Sequence, residues 1–395
     1  MTEKIDVSAR SEEIRNLYRE LAESAEARAI TNEPQGLSED EKRFAVSQWT
    51  MTWRRFRRNK AALIGAVIVA FYYLVAAFGD FIAPYTLTQR FTQQIYLPPQ
   101  QIHLFDEGQF RPFVYGVATE FDSNLRRIHI TTDEKIYLEF FARGEPYKLL
   151  GIFETDIHLF QAPGGIVSLL GTDRQGRDMF SRIILGSQIS LTIGLVGVVL
   201  SLILGTVLGI ASGYFGGLVD EVIQRLIEII RAFPTIPLWM ALSAAIPAGW
   251  SQIQTYFAIT IILSLIGWTW LARQLRGQVL SLRESDYVMA AKLAGASDLR
   301  IIFKHLVPAT IGQIIVVSTL ALPSMILAET ALSFLGLGLR PPTTSWGVLL
   351  QEAQNLQSLA LYPWVISPAI VIVIVILAFS FMGDGLRDAS DPYTV

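Results

Sequence analysis

The sequence predicts an all-α polytopic membrane protein of six transmembrane helices, carrying a small extracytoplasmic β-rich insertion. Three observations lead there. Apolar residues make up 51% of the 395 and collect in runs close to the length at which a helix crosses a bilayer, about 20 residues. Lysine and arginine cluster in alternate connections between those runs. The long connection after the first run instead alternates apolar with polar residues, the period of a half-buried strand.

Composition narrows the function classes. A net charge of −3 offers no basic surface for nucleic acid. Cysteine is absent, which removes disulfides, thiolate metal sites and thiol nucleophiles. The four histidines are isolated, so no metal site is expected. No phosphate loop ending in Gly-Lys-Ser/Thr occurs, and no catalytic residues are expected in this chain.

Residues 1–60 read as a cytoplasmic N-terminal region. The first apolar run begins only near Ala61, so no secretory signal precedes it. Ser11–Ala29 looks like a solvated helix, and Ser38 with Glu41 matches a capping box. The helix that follows carries Trp49, Trp53 and Phe56 along one side, then Arg54, Arg55, Arg57, Arg58 and Lys60. Aromatics beside a basic cluster predict a helix lying on the membrane surface.

The spans are expected at Ala61–Phe78, Ile189–Ser212, Leu218–Ile246, Tyr256–Ala272, Ala309–Leu332 and Trp364–Met382. Basic residues precede the first span and fill Arg273–Lys304, whereas Ala248–Thr255 has none and Phe334–Pro363 has only Arg340. Positive residues stay inside, so both termini are expected in the cytoplasm. The third span holds Asp220, Glu221, Arg225, Glu228 and Arg231, spaced for pairing along one helix face. Pro234 and Pro237 then kink or interrupt it. A moving part and a structural ion-pair ladder both fit that pattern.

The insertion covers residues 79–188. Arg126–Thr131 and Ile136–Phe141 alternate as a hairpin turning at Thr132–Lys135, and Tyr147–Phe153 adds a strand. A docking surface for a substrate-delivering protein and a passive scaffold are both open readings. Gly171–Asp178 reads as a tight turn entering an interfacial helix. Glu329, late in the fifth span, is a functional-site candidate because carboxylates inside membranes are costly. It either lines a substrate path or caps the glycine-rich segment after it. Trp346, Tyr362 and Trp364 are expected in an outer aromatic belt.

Tyr287–Pro308 lies between two apolar runs and reads as two short helices. Ser285 and Asp286 are placed to cap the first, Gly295 to end it, Ser297 or Asp298 to cap the second, and Pro308 to stop it. Ala290, Ala291 and Ala294 leave a smooth surface. Paired alanines and a glycine thirteen positions before a proline resemble the signature loop of the membrane subunits of ATP-binding-cassette importers. That family usually places an acidic residue before the two alanines, where this chain has Met289. Gly171–Asp178, Ala328–Gly338 and the tail from Gly383 through Pro392 resemble motifs of the peptide-transporting branch. From about residue 50 to the end, apart from much of Pro98–Pro163, the chain is similar to C-type permease subunits of dipeptide and oligopeptide importers.

The resemblance implies the type I importer permease fold, with a membrane core over residues 189–382, a cytoplasmic coupling loop at 274–308 and a tail at 383–395. It implies coupling to an ATPase through Met289, Ala290, Ala291, Gly295 and Pro308. Implied partners are a homologous second permease subunit, two ATPase subunits that carry ATP and magnesium, a peptide-binding protein outside, and the bilayer of the bacterial cytoplasmic membrane. Nickel-transporting relatives leave a small-solute permease as the alternative. An ion-driven secondary transporter is the competing class, yet the chain lacks the inverted repeats typical of one.

Topology gives a direct test. Reporters fused after Gly249 are expected outside the cytoplasm and those fused after Ser281 inside it; reversal of either result sinks the six-span arrangement.

Overall fold

A computed structural model describes residues 48–121, 123, 127–247 and 249–390. The expected helix at Ser11–Ala29, the capping box at Ser38 and Glu41, the Trp49 side chain, Arg126 and the Asp391-Pro392 end of the tail lie outside the described residues. The chain divides into two compact units, Met1–Arg54 and Arg55–Val395.

Helix α1 (Gln48–Arg58) ends in basic residues, and its Phe56 is buried against Ala62 and Ala389. Phe56 therefore anchors the junction of the first and last spans, rather than lying on lipid as its aromatic neighbours suggested. Asn59 then caps α2 (Lys60–Ala77), accepting the Ala62 N–H at 3.1 Å, and α3 (Gly79–Ile82) adds one further turn.

The insertion that follows contains short sheets. Strands β1 (His103–Asp106), β2 (Gln109–Phe121) and β3 (Arg127–Tyr137) form an antiparallel meander. The turn expected at Thr132–Lys135 is not there: β3 runs straight through it, with Lys135 opposite Tyr115 and Thr131 opposite Val117. Three polar residues of β3 thus face the single Gly116, a bulge that absorbs residues with poor strand preference without reversing the chain. Strands β4 (Glu139–Phe140) and β7 (Phe160–Gln161) pair with each other. Between them β5 (Arg143–Leu149) and β6 (Phe153–Ile157) make a separate hairpin, so the strand expected over Tyr147–Phe153 actually turns at Leu150 and Gly151.

Helix α4 (Met179–Phe215) begins ten residues before the expected second span, because Asp178 caps it by accepting the Ser181 N–H at 2.7 Å. The third expected span is broken. Helix α5 (Gly217–Ala232) and helix α6 (Thr235–Ala244) meet at 87° across Phe233 and Pro234. Proline cannot supply the missing amide donor, and the residue before it disfavours helix. Of the ion-pair ladder, one of the two readings of these charges, a single rung is present: Arg225 and Glu228 pair along α5 at 3.0 Å, but Asp220 turns to Arg276 on helix α7 (Gln252–Leu282).

Helices α4 and α7 set the centre of the bundle. Gly205, Gly209 and Gly213 of α4 face Leu271, Ala272 and Val279 of α7, and a methyl at Gly209 would come within 2.7 Å of the Ala272 carbonyl oxygen. Small residues every four positions let helix backbones meet at a distance that larger side chains forbid. Higher numbers on one helix face higher numbers on the other, so the two run parallel. The bent pair therefore carries the chain back across the bundle between them.

After α7 come α8 (Asp286–Leu293) and α9 (Asp298–Ile301), a widened π-type turn at Ile302–Leu306, and α10 (Val307–Phe334). Pro308 does not stop the helix as expected. It lies inside the continuous helical run Asp298–Phe334, and the widened turn just before it accommodates both its ring and its missing amide donor. Short helices α11 (Trp346–Glu352) and α12 (Leu356–Leu361) lead through a 3-10 turn at Pro363–Ile366 into α13 (Ser367–Ser390). Helices α2, α4 and α7, the run Asp298–Phe334 and the run Pro363–Ser390 are each long and apolar enough to cross a membrane.

Candidate functional site

The stretch from Ser285 to Leu306 folds against one end of the bundle. Helix α8 closes with paired bonds from Gly295 N–H to the Lys292 oxygen at 2.9 Å and from Ala296 N–H to the Ala291 oxygen at 3.0 Å. This double closure needs a left-handed residue after the last helical turn, and Gly295 has φ +78°. The capping side chains behave otherwise than expected. Ser285 donates to the Leu282 oxygen, and Asp298 accepts the Tyr214 hydroxyl at 2.7 Å.

The inner face of this hairpin is apolar and closed. Val288, Ile301 and Leu306 are fully buried with Ile210, Tyr214 and Val279 at the ends of α4 and α7. Lys292 lies over the Tyr214 ring at 5.2 Å, and Arg283 donates to the Gly213 oxygen at 3.3 Å. The outer face is apolar and open: Met289, Leu299 and Phe303 are exposed, and Leu293 is 87% exposed. Ala290, Gly295 and Pro308 are exposed too, Ala291 is half-buried, and a side chain at Gly295 would meet nothing within 4 Å. The structure thus brings Met289, Ala290, Ala291 and Gly295 together on one knuckle and leaves Pro308 at its base. Leu293, Leu299 and Phe303 belong to the same face and were not anticipated, although their apolar character in a polar loop was a signal in the sequence.

Beside the hairpin, Arg276 holds Asp220 bidentately, with both nitrogen–oxygen distances at 2.6 Å, and Ser212 donates to the same carboxylate. A paired fork of this kind fixes geometry as well as charge. It ties the start of α5 to α7.

Within the bundle a cavity of about 450 Å³ opens among α4, α5, α6, α7 and α10. Arg231, Trp239, Trp270, Ser318, Ser324 and Met325 are among its lining residues. The Arg231 guanidinium lies 5.6 Å from the centre of the Trp270 ring. Trp239 Nε1 and Ser318 Oγ are buried and have no hydrogen-bond partner among the described residues.

Glu329 does not line that cavity. It is fully buried and accepts from Ser333 at 2.8 Å, Ser345 at 2.6 Å and Ser190 at 3.3 Å. Each serine oxygen in turn accepts a backbone N–H, from Leu339, Val348 and Trp346 respectively. The carboxylate thereby organises the segment between α10 and α11. Trp346 is also fully buried, donating from Nε1 to the Ile183 oxygen at 3.1 Å. It is a core anchor and not part of an aromatic belt. Tyr362 and Trp364 are half-buried against the insertion: Tyr362 stacks on Tyr96 at 3.9 Å, and Trp364 donates to the Thr172 oxygen at 3.0 Å.

At the end of α4 far from the hairpin, Asp173 and Glu352 share two arginines. Arg182 donates to Asp173 at 2.6 Å and to Glu352 at 2.7 Å, while Arg177 reaches the same two carboxylates, each at 2.7 Å. Burial raises the pKa of Glu352, but Arg182 and Arg177 outweigh it and hold the carboxyl below its usual range. Burial pushes neighbouring Asp178 up to about 6. The Gly171–Asp178 turn is therefore one half of a buried charge cluster that clamps α11 onto α4.

Comparison with known proteins follows this architecture. Residues 205–394 match the family of binding-protein-dependent transport system inner membrane components, and residues 47–99 match the N-terminal TM domain of oligopeptide transport permease C. The dipeptide transport system permease protein DppC of Lactococcus lactis subsp. cremoris is 35% identical over 88% of this chain and 91% of its own length. The chain belongs to this family of binding-protein-dependent permeases. The oligopeptide transport system permease protein OppC of Bacillus subtilis is 31% identical to the permease over 96% of this chain and 99% of its own. OppC of Escherichia coli K12 is 40% identical over 56% of this chain and 71% of its own. Five helices long and apolar enough to cross a membrane, or six with the bent pair taken as one, fit an inner-membrane component.

The charge cluster of this permease makes a pH-dependent prediction. A lowered pKa contributes stability that is present above the unfolded glutamate value of about 4.3 and is lost as pH falls through the folded value. Glu352→Gln leaves two buried arginines facing one carboxylate and should cost about 3 kcal/mol or more. Thermal inactivation of the purified permease should show the parent losing stability below about pH 4 and the variant already destabilised at pH 7, with a flatter acid limb. Equal acid sensitivity in both would remove Glu352 from that role.

Proposed function

We propose that this chain is one of two permease subunits in an importer that moves dipeptides or oligopeptides across the bacterial cytoplasmic membrane by alternating access. The exposed apolar knuckle around Gly295, rigidly backed by Val288, Ile301 and Leu306, carries the reading. A face of this kind at the end of a membrane bundle fits a protein groove better than water. Each of two ATPase subunits, holding ATP and magnesium, would grip one such knuckle, and a binding protein outside the membrane would deliver the peptide. Peptide, rather than nickel, is supported by the names of the relatives, which are dipeptide and oligopeptide permeases.

The orientation proposed is six crossings of the type I arrangement, counting the bent pair as one, with both termini and the knuckle in the cytoplasm. The parallel course of α4 and α7 supports that count, and the lysine and arginine distribution supports the direction. The β-containing insertion is then extracytoplasmic. Met289 replaces a charge with an exposed apolar contact and adds to the knuckle. The cavity beside Arg231 and Trp239 is the proposed stretch of peptide path in this subunit, its guanidinium suited to a peptide carboxylate. Glu329 is assigned to the framework of the outer segment instead.

Gly295→Val tests the coupling role. A β-branched residue at φ +78° is disfavoured by about 1–2 kcal/mol, and its bulk projects from the docking face. In vesicles containing the whole transporter, peptide uptake and substrate-stimulated ATP hydrolysis should fall together by about tenfold, while expression and membrane insertion persist. Parental transport by Gly295→Val at normal expression would show that the knuckle is not the coupling element.

A further inference from the structure

The hairpin of β5 and β6 stands outside the three-stranded sheet of the insertion. Its strands pair only with each other, and an isolated two-stranded hairpin is marginal in water. Its tip, Leu149-Leu150-Gly151-Ile152-Phe153, is five apolar or small residues in succession. Ile152 is 73% exposed and Phe153 64% exposed, and Leu150 and Phe141 are exposed as well. Leu150 also occupies a left-handed turn position, φ +52°, followed by Gly151 at φ +71°. A turn made for water would place asparagine, aspartate or glycine there. The leucine accepts backbone strain and leaves its side chain uncovered.

The contacts at the root show where the hairpin sits. Gln161 donates to the Pro84 oxygen at 2.6 Å, and His158 contacts the Ala83 oxygen at 2.9 Å. Next, Leu159 N–H donates to the Phe81 oxygen at 2.7 Å, and the rings of Phe81 and Phe141 lie 6.1 Å apart. Strand β5 itself packs on the turn Gly79–Ile82. The hairpin is therefore seated beside Gly79–Pro84, the residues that leave the first span. Gly79 and Asp80 are level with Gln188, which donates to Asp80 at 3.0 Å, at the start of the apolar part of α4. The turn at Leu150 and Gly151 lies three to four residues beyond Tyr147, a reach of about 10 Å at the rise of a strand, and Ile152 returns beside Leu150.

We infer that the Leu149–Phe153 tip inserts into the lipid leaflet beside the first span and anchors the insertion to the membrane surface. The surface it joins is apolar and uncovered: Phe71, Leu74 and Phe78 of the first span are exposed and lead up to Phe81 and Phe141. The depth required, about 5–10 Å into the headgroup and acyl boundary, is the usual depth of interfacial anchors. Lys148 and Glu154, paired at 3.2 Å just behind the tip, are placed to stay at headgroup level, the lysine stem lying along apolar surface. The insertion would thus be held at two points, by the clamp at Arg182 and by lipid at Ile152.

The chain has no cysteine, so Ile152→Cys gives this subunit a single labelling site. The probe is a nitrobenzoxadiazole fluorophore at that position, in the complete transporter with no other reactive thiol. The complex sits in nanodiscs of phosphatidylethanolamine and phosphatidylglycerol, with or without lipid bearing a nitroxide high on its acyl chain. Nitroxide lipid should quench the Ile152 probe at least threefold more than aqueous iodide does, and a Leu150→Cys probe should behave alike. A Glu107→Cys probe, on the turn of the other hairpin, should show the reverse. Iodide quenching at Ile152 equal to that at Glu107 overturns the inference. So does shielding from both quenchers, which would mean cover by another subunit, or shielding that develops only when binding protein is added.

Discussion

The arrangement rests on the close approach of α4 and α7 along Gly205, Gly209 and Gly213. Lipid tails are as apolar as leucine, so helices inside a bilayer gain little by hiding apolar surface from one another. They associate through contact and through polar groups that find partners. Both operate here. The glycines let the backbones meet, and beyond them Ser264 donates to the Gly197 oxygen at 3.1 Å and Ser201 to the Ser264 oxygen at 3.2 Å. Because α4 is 37 residues long, or about 55 Å, this one pairing positions everything at either end of it.

The two ends of α4 are built differently, and the difference is physical. At the Asp178 end Arg177 and Arg182 pair with Asp173 and Glu352 in a closed cluster, and hydrogen bonds from three serines hold Glu329 in the segment after α10. Buried polar networks of this kind are costly to half-break, so they hold one geometry. At the Tyr214 end the inner face of the hairpin is equally closed, but its outer face leaves Leu293, Leu299 and Phe303 uncovered. Under the proposed function, a rigid frame on one side and an unfilled apolar face on the other suit a part that transmits force to another protein.

Much of this was legible in the sequence because it is local. Long apolar runs locate the spans, Pro234 marks the break in the third, and Gly295 marks the turn of the hairpin. What was not legible depends on partners distant in the chain. The charges on α5 have helical spacing, yet Asp220 prefers Arg276, 56 positions away, because that guanidinium offers a bidentate fork. Trp346 looks like an interfacial residue until its indole N–H finds the Ile183 oxygen. Thr132–Lys135 has turn composition, but Gly116 on the opposite strand leaves space for a bulge. Pro308 reads as a stop only if no wide turn precedes it. Glu329 and Ser333, four apart, were a visible clue to the buried network, whereas Ser190 and Ser345 were not.

The same contacts indicate how motion at the knuckle would reach the cavity under the proposed mechanism. Tyr214 to Asp298 and Arg283 to the Gly213 oxygen join the hairpin to the end of α4, so the knuckle cannot shift without carrying the α4–α7 pair along. Arg276 ties α5 to that pair as well. Helix α6, beyond the break at Pro234, packs on the same pair through Trp239 and Met240, against Val198 and Leu263, and Trp239 lines the cavity with Arg231 from α5. Under the proposed mechanism, a displacement of the pair by the knuckle would move both walls of that cavity. An allosteric coupling needs an element with two arrangements that both sites can bias, and the Phe233–Pro234 break is the element placed to supply it.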